Sequence, residues 1–77
     1  MSFTKRLNNY SMKNSLKVER AIKDITQEEL AKVIGVSRQA INSIELGKYV
    51  PSTVLALKLS RYFEKSVNDI FKLEEID

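Results

Sequence analysis

Apolar positions recur at helical spacing through most of this chain, and the breaks between them fall on residues that end helices. Leu30, Ala31 and Ile34 share one face of a short segment that opens with Thr26-Gln27-Glu28-Glu29. That tetrapeptide is a capping box, in which the Thr26 hydroxyl accepts from the Glu29 amide and the Glu29 side chain returns to the Thr26 amide. The segment stops at Gly35, a residue able to take the left-handed conformation past a helix end. The pattern predicts a two-turn helix over about residues 27–34. Ser37 is a good N-cap for a second short helix, over about residues 38–46, which ends at a second left-handed candidate, Gly47.

On a helical wheel that starts at Arg38, Ala40, Ile41 and Ile44 fall at about 200°, 300° and 240°, whereas Asn42, Gln39 and Ser43 fall at about 40°, 100° and 140°. One face is apolar and the other carries donors and acceptors. Glu45 lies at the boundary, where a carboxylate can be partly buried if it meets a cation. Pro51-Ser52 offers the next helix entry, followed by Val54, Leu55, Leu57, Leu59, Tyr62 and Phe63, the strongly apolar stretch expected to form the core helix. Ser66 caps a last short turn, Val67 to Ile70.

Two stretches alternate with period two. Phe71-Lys72-Leu73-Glu74 does so near the C-terminus, and Tyr10, Met12, Leu16 and Val18 do so near the N-terminus, with Asn14 breaking the pattern. A small antiparallel ribbon joining the two ends is allowed as a minor feature. A helical pattern at Leu16 and Arg20, with Ala21 and Ile22, competes with the strand, so the expected compromise is an extended start that becomes helix near Ser15. Residues 1–11 are expected to form a mobile arm ahead of a single domain over residues 12–77.

Composition narrows the function. Seventy-seven residues leave room for one small domain with a thin core, which makes support from a partner subunit plausible. With no Cys and no His, disulfides, thiol nucleophiles, the usual zinc sets and the commonest general base are missing together. No catalytic residues, metal or cofactor are expected, because Glu28, Glu29 and Asp69 have no positioned partner that the sequence reveals. No apolar run reaches the length of a membrane span and the first ten residues lack the apolar stretch of a secretory signal, so a soluble, cytoplasmic protein is expected. The net charge of +3 says little by itself. Its distribution says more: residues 1–23 hold Lys5, Arg6, Lys13, Lys17, Arg20 and Lys23 against Glu19 alone, while the last fourteen residues net −3. One end suits phosphate and the other does not.

Two short helices joined by a turn containing Gly35, the second presenting Arg38, Gln39, Asn42 and Ser43 opposite an apolar stripe, have the layout of a DNA-reading helix-turn-helix. Thr26-Gln27-Glu28-Glu29-Leu30-Ala31, Gly35-Val36-Ser37-Arg38-Gln39-Ala40-Ile41, Ile44-Glu45, Gly47-Lys48 and Pro51-Ser52 resemble the Cro/CI-type (Xre-like) regulators, and the likeness spans roughly residues 15–71. The resemblance implies an all-α, five-helix, lambda-repressor-like domain of the compact kind that is nearly all DNA-binding domain. It implies a second helix lying across the sugar-phosphate backbone and a third in the major groove of double-stranded DNA.

Residue roles follow from that placement. Arg38, Gln39, Asn42 and Ser43 are the candidates for base contact, since Arg can hold guanine and Gln adenine with two hydrogen bonds each. Arg38 has a phosphate as its alternative, and Ser43 a water or a sugar. Gln27, Ser37, Lys48 and Tyr49 are the candidates for phosphate contact, with packing against Pro51 as the alternative for Tyr49. Arg20 and Glu45 match a buried ion pair fastening the first helix to the third. Dimerisation is implied by the family, and the apolar residues Phe71, Leu73 and Ile76 are the candidates for it. Two positions depart from the family pattern: Asp24 stands where many members have Gly, and Glu19 where Leu or Ile is usual. The implied function is a sequence-specific repressor binding a near-palindromic operator as a homodimer. A module of antitoxin or anti-repressor type, with a protein as its main ligand, is the alternative, and the acidic tail is its feature.

Overall fold

A computed structural model describes residues 10–75, arranged as β1 (Tyr10–Asn14), α1 (Leu16–Lys23), α2 (Gln27–Ile34), α3 (Arg38–Glu45), α4 (Thr53–Phe63), α5 (Val67–Ile70) and β2 (Phe71–Glu75). The architecture is the expected one of five helices, and the ribbon is present: β1 and β2 pair antiparallel, with Met12 opposite Leu73 and Asn14 opposite Phe71. The mobile arm expected at the N-terminus falls outside the described residues as far as residue 9, as does Ile76 at the other end.

Side-chain caps define the helix starts. Thr26 Oγ1 accepts from the Glu29 amide at 3.0 Å while Glu29 Oε1 accepts from the Thr26 amide at 2.9 Å, closing the capping box. Ser37 and Ser52 accept from Ala40 and Leu55 in the same way, and Ser66 forms a second box with Asp69. Asn14 ends β1 and starts α1: its Oδ1 accepts from the Leu16 amide at 3.1 Å, and its Nδ2 donates to the Ile44 carbonyl at 2.8 Å, tying the ribbon to the end of α3. The turn after α1 is left-handed at Asp24 (φ 56°), a conformation Asp tolerates where Gly is commoner. Gly35 (φ 88°) closes α2 as expected. Glu64 (φ 56°) makes a further left-handed turn, after α4, that the sequence pattern does not announce.

The core collects one face from each helix, with Leu16, Leu30, Ile41, Ile44, Leu59 and Ile70 wholly buried and Leu55, Phe63 and Phe71 nearly so. Two elements depart from the simple rule of apolar side inward. In α4 Leu55, Leu59 and Phe63 are buried, whereas Val54 and Leu57 are more than half exposed, because among the described residues α4 has neighbours on one side only. In α1 the wheel is inverted: Val18 and Ile22 face outward while Glu19 and Arg20 turn toward the protein. Both charges are paired. Glu19, 7% exposed, receives Lys65 Nζ at 3.1 Å, so the departure from an apolar residue is accommodated by a cation from the turn after α4. Tyr62 packs edge-on to Phe63 and lies under Lys23 Nζ, 5.0 Å from its ring centre.

Within the ribbon, Lys13 stands directly opposite Lys72, and Lys13 Nζ turns to Glu74 at 3.1 Å, which offsets the like-charge contact.

Replacing a buried ion pair by apolar packing is often neutral or stabilising. Glu19→Leu should therefore keep or raise Tm, whereas Lys65→Ala, which strands the Glu19 carboxylate, should lower stability by about 1 kcal/mol in urea unfolding. Hydrogen bonds from the Thr26 amide and, after it, the Thr26 hydroxyl hold the Glu29 carboxyl below its ordinary pKa. A lowered folded pKa stabilises above the unfolded value, and that contribution is lost as pH falls through the folded one. The Tm gap between wild type and Glu29→Gln should be open at neutral pH and close in strong acid.

Candidate nucleic-acid interface

Helix α3 is held from behind by Ile41 and Ile44, both essentially fully buried. On its other face, which no element lies across among the described residues, Arg38 and Gln39 are exposed at the first turn and Asn42 and Ser43 are partly exposed. Two shallow hollows flank it. Ser37, Gln39, Ala40, Ser43 and Tyr49 line one of about 250 Å³. Arg20, Asp24, Ile25, Thr26, Gln27, Glu28 and Arg38 line the other, about 420 Å³, which reaches the start of α2. The structure thus gathers Ser37, Gln39, Ser43 and Tyr49 on one side of α3, and sets Arg38 apart with Gln27 on the other.

Local chemistry fixes several of these groups. The Ser37 hydroxyl oxygen accepts from the Ala40 amide at 3.1 Å, which leaves its proton free to donate. After α3 the chain turns at Gly47 (φ 75°), and the amides of Lys48 and Tyr49 both donate to the Ser43 carbonyl, at 2.9 and 3.3 Å. That turn puts exposed Lys48 and half-exposed Tyr49 beside the C-terminal end of the polar face.

The orientation of α3 rests on Arg20 and Glu45. Arg20 Nε donates to Glu45 Oε2 at 2.6 Å and Nη2 to Oε1 at 3.2 Å, a two-point contact, while Nη1 donates to the Ile25 carbonyl at 2.9 Å. The side chains are 15% and 4% exposed, so the pair is desolvated. The hydrogen bonds to Glu45 and, after the opposing effect of partial burial, the Glu45 charge raise the Arg20 pKa above its already high value. The guanidinium is charged at every pH at which the protein folds.

One connection escapes the sequence reading. Gln27, a candidate for phosphate contact, turns its side-chain Nε2 to Glu45 Oε1 at 3.0 Å and to Asn42 Oδ1 at 3.1 Å. The start of α2 is thereby joined to the middle and the end of α3. The signal available in the sequence was the three-residue spacing of Asn42 and Glu45, which stacks them on one side of the helix. Of the dimerisation candidates, Phe71 is buried in this chain's own core, at 6% exposure, and Leu73 is 67% exposed.

A capped short helix, a left-handed Gly turn and a second helix with its polar face uncovered define a helix-turn-helix DNA-binding domain. A sequence profile described as helix-turn-helix matches residues 16–70. An uncharacterised HTH-type transcriptional regulator of Methanocaldococcus jannaschii is 53% identical over 64 residues, which cover 83% of this chain and 97% of that protein. The uncharacterised HTH-type transcriptional regulator YgzD of Bacillus subtilis is 47% identical over 64 residues, 83% of this chain and 97% of its own. Among solved structures, the restriction-modification controller protein C.AhdI of Aeromonas hydrophila superposes with a TM-score of 0.64 at 30% identity, covering 70% of this chain and 82% of that one. The chain belongs to the Cro/CI-type helix-turn-helix family of transcriptional regulators. Among the described residues, no helix is long and apolar enough to cross a membrane.

Because the Arg20–Glu45 pair is desolvated, removing one side strands the other. Glu45→Ala should cost about 3–5 kcal/mol, read as a fall in thermal and urea midpoints. An unchanged midpoint would show that α3 is held by its apolar face alone.

Proposed function

We propose that the protein is a sequence-specific repressor that binds a near-palindromic operator as a homodimer, each α3 entering one major groove. The observation that carries this reading is the uncovered polar face of α3, with Gln39 and Ser43 sharing a hollow with Ser37 and Tyr49 while Ile41 and Ile44 anchor the helix from behind. Gln39 reads an adenine edge and Arg38 a guanine edge or a phosphate. Asn42 and Ser43, one turn on, complete the base-facing row. Ser37, Lys48 and Tyr49 hold the backbone through a free hydroxyl proton, an ammonium and a phenol.

Gln27 reaches phosphate through the main-chain amides of the first turn of α2, which have no acceptor within the helix, because its side-chain N–H groups are already engaged. The second copy is proposed to cover the exposed Val54 and Leu57 of α4, with Val50 from the loop before it and Leu73. Phe71 has no such role, since its own core encloses it.

A module whose main ligand is a protein is the second reading, and the outward Val18 and Ile22 of α1 favour it.

Affinity for the gene's own upstream duplex, against a scrambled duplex over a range of salt, separates the two. A preference of about a thousandfold that collapses in Gln39→Ala, over a steep salt slope shared by both duplexes, is the expected result. Equal, weak binding to both would favour the protein ligand.

A further inference from the structure

Hydrogen-bond polarity runs through the protein from Arg20 to the DNA-facing side of α3. The Arg20 guanidinium only donates, and the Glu45 carboxylate only accepts. Gln27 approaches Glu45 Oε1 at 3.0 Å, so the group it presents there must be its amine, Nε2. That amine has two hydrogens. The second goes to Asn42 at 3.1 Å, and the one acceptor in the Asn42 side chain is Oδ1. Asn42 is therefore turned with its carbonyl inward toward α2, and its Nδ2 amine is the group left for a ligand of the polar face.

From this chain of forced orientations we infer that Gln27 is a positioning residue for base readout, which holds Asn42 as a donor. Freely rotating Asn can pair with adenine through both amide atoms, donating to N7 and accepting from the N6 amine. Asn42 Oδ1 keeps one lone pair when it accepts from Gln27, but the oxygen is turned toward α2, which disfavours the two-point contact with adenine. Asn42 donates instead to acceptors, of which guanine offers two (O6 and N7) and thymine O4 or adenine N7 only one, and finds no partner on the cytosine N4 amine. The base preference of a residue on α3 is in this way set by the first residue of α2, anchored in turn by an ion pair that reaches back to α1.

The inference rests on the DNA-binding reading of α3, and its test separates the two. Selection from a library of randomised duplexes is carried out with the full chain as wild type, Asn42→Ala, Gln27→Ala and Asn42→Asp, each first checked for an intact thermal transition. The position that loses its preference in Asn42→Ala is the one Asn42 reads. Wild type should favour guanine or thymine over cytosine there by about tenfold. Gln27→Ala should let adenine rise at that position and leave the preferences at other positions within about threefold. Asn42→Asp, an acceptor of the same shape, should turn the preference toward cytosine. An adenine preference in wild type, or a Gln27→Ala profile identical to wild type at that position, overturns the inference while leaving DNA binding intact.

Side-chain amide exchange by ¹⁵N NMR on the free wild-type protein gives a readout that needs neither DNA nor a stable variant. Both Gln27 Nε2 protons should be protected and both Asn42 Nδ2 protons should exchange freely. Protected Asn42 Nδ2 protons overturn the inference whether or not any duplex is selected. The absence of any enriched sequence, with the NMR pattern as expected, sinks the DNA reading and keeps the relay as a fact of the fold.

Discussion

Everything at the candidate interface depends on one desolvated contact, the two-point ion pair of Arg20 with Glu45. A planar, always-charged guanidinium and a carboxylate at 2.6 and 3.2 Å leave little freedom of rotation, and the third guanidinium arm reaches the turn between α1 and α2. Helices of eight residues have little stability of their own. Their relative angles must come from outside, and this pair supplies an angular constraint that apolar packing does not, because Ile41 and Ile44 can slide against their neighbours whereas a two-point hydrogen bond cannot. The same carboxylate oxygen that accepts from Arg20 Nη2 also accepts from Gln27, so three helices meet at one acceptor group.

The pair also explains why α1 looks inside out. A helix that turns Glu19 and Arg20 inward has only its remaining face for Val18 and Ile22, and these end in solvent. The charges are tolerated because each meets its partner from a different element, Lys65 for one and Glu45 for the other. A hydrophobicity pattern alone would place this helix a half-turn wrong.

Much of the fold could be read from residue order. Thr26-Gln27-Glu28-Glu29, Ser37, Ser52 and Ser66 are local signals, because a cap involves residues three apart, and each is a cap in the structure. Asp24 likewise takes the left-handed turn that its chemistry permits. The ribbon was a weak signal, since Tyr10 to Asn14 has no partner until residues some sixty positions later fold beside it. The partial exposure of α4 was not legible, because Val54 and Leu57 look like core residues until the number of neighbouring elements is known. At the interface, the polar row of α3 followed from a wheel, but the inward turn of Gln27 did not. The three-residue spacing of Asn42 and Glu45 puts two acceptors on one side of α3, but which donor meets them depends on how the helices pack.

The ribbon has a mechanical consequence. With Tyr10 paired to Glu75, the two described ends of the chain leave the domain side by side. A load applied across them pulls perpendicular to the strands, so the ladder opens one rung at a time from Tyr10 inward rather than shearing all at once. At the last rung Asn14, bonded to the Ile44 carbonyl, and Phe71, buried in the core directly after α5, take the load together. Tension on the ends would therefore reach the end of α3 and the core at the same rung.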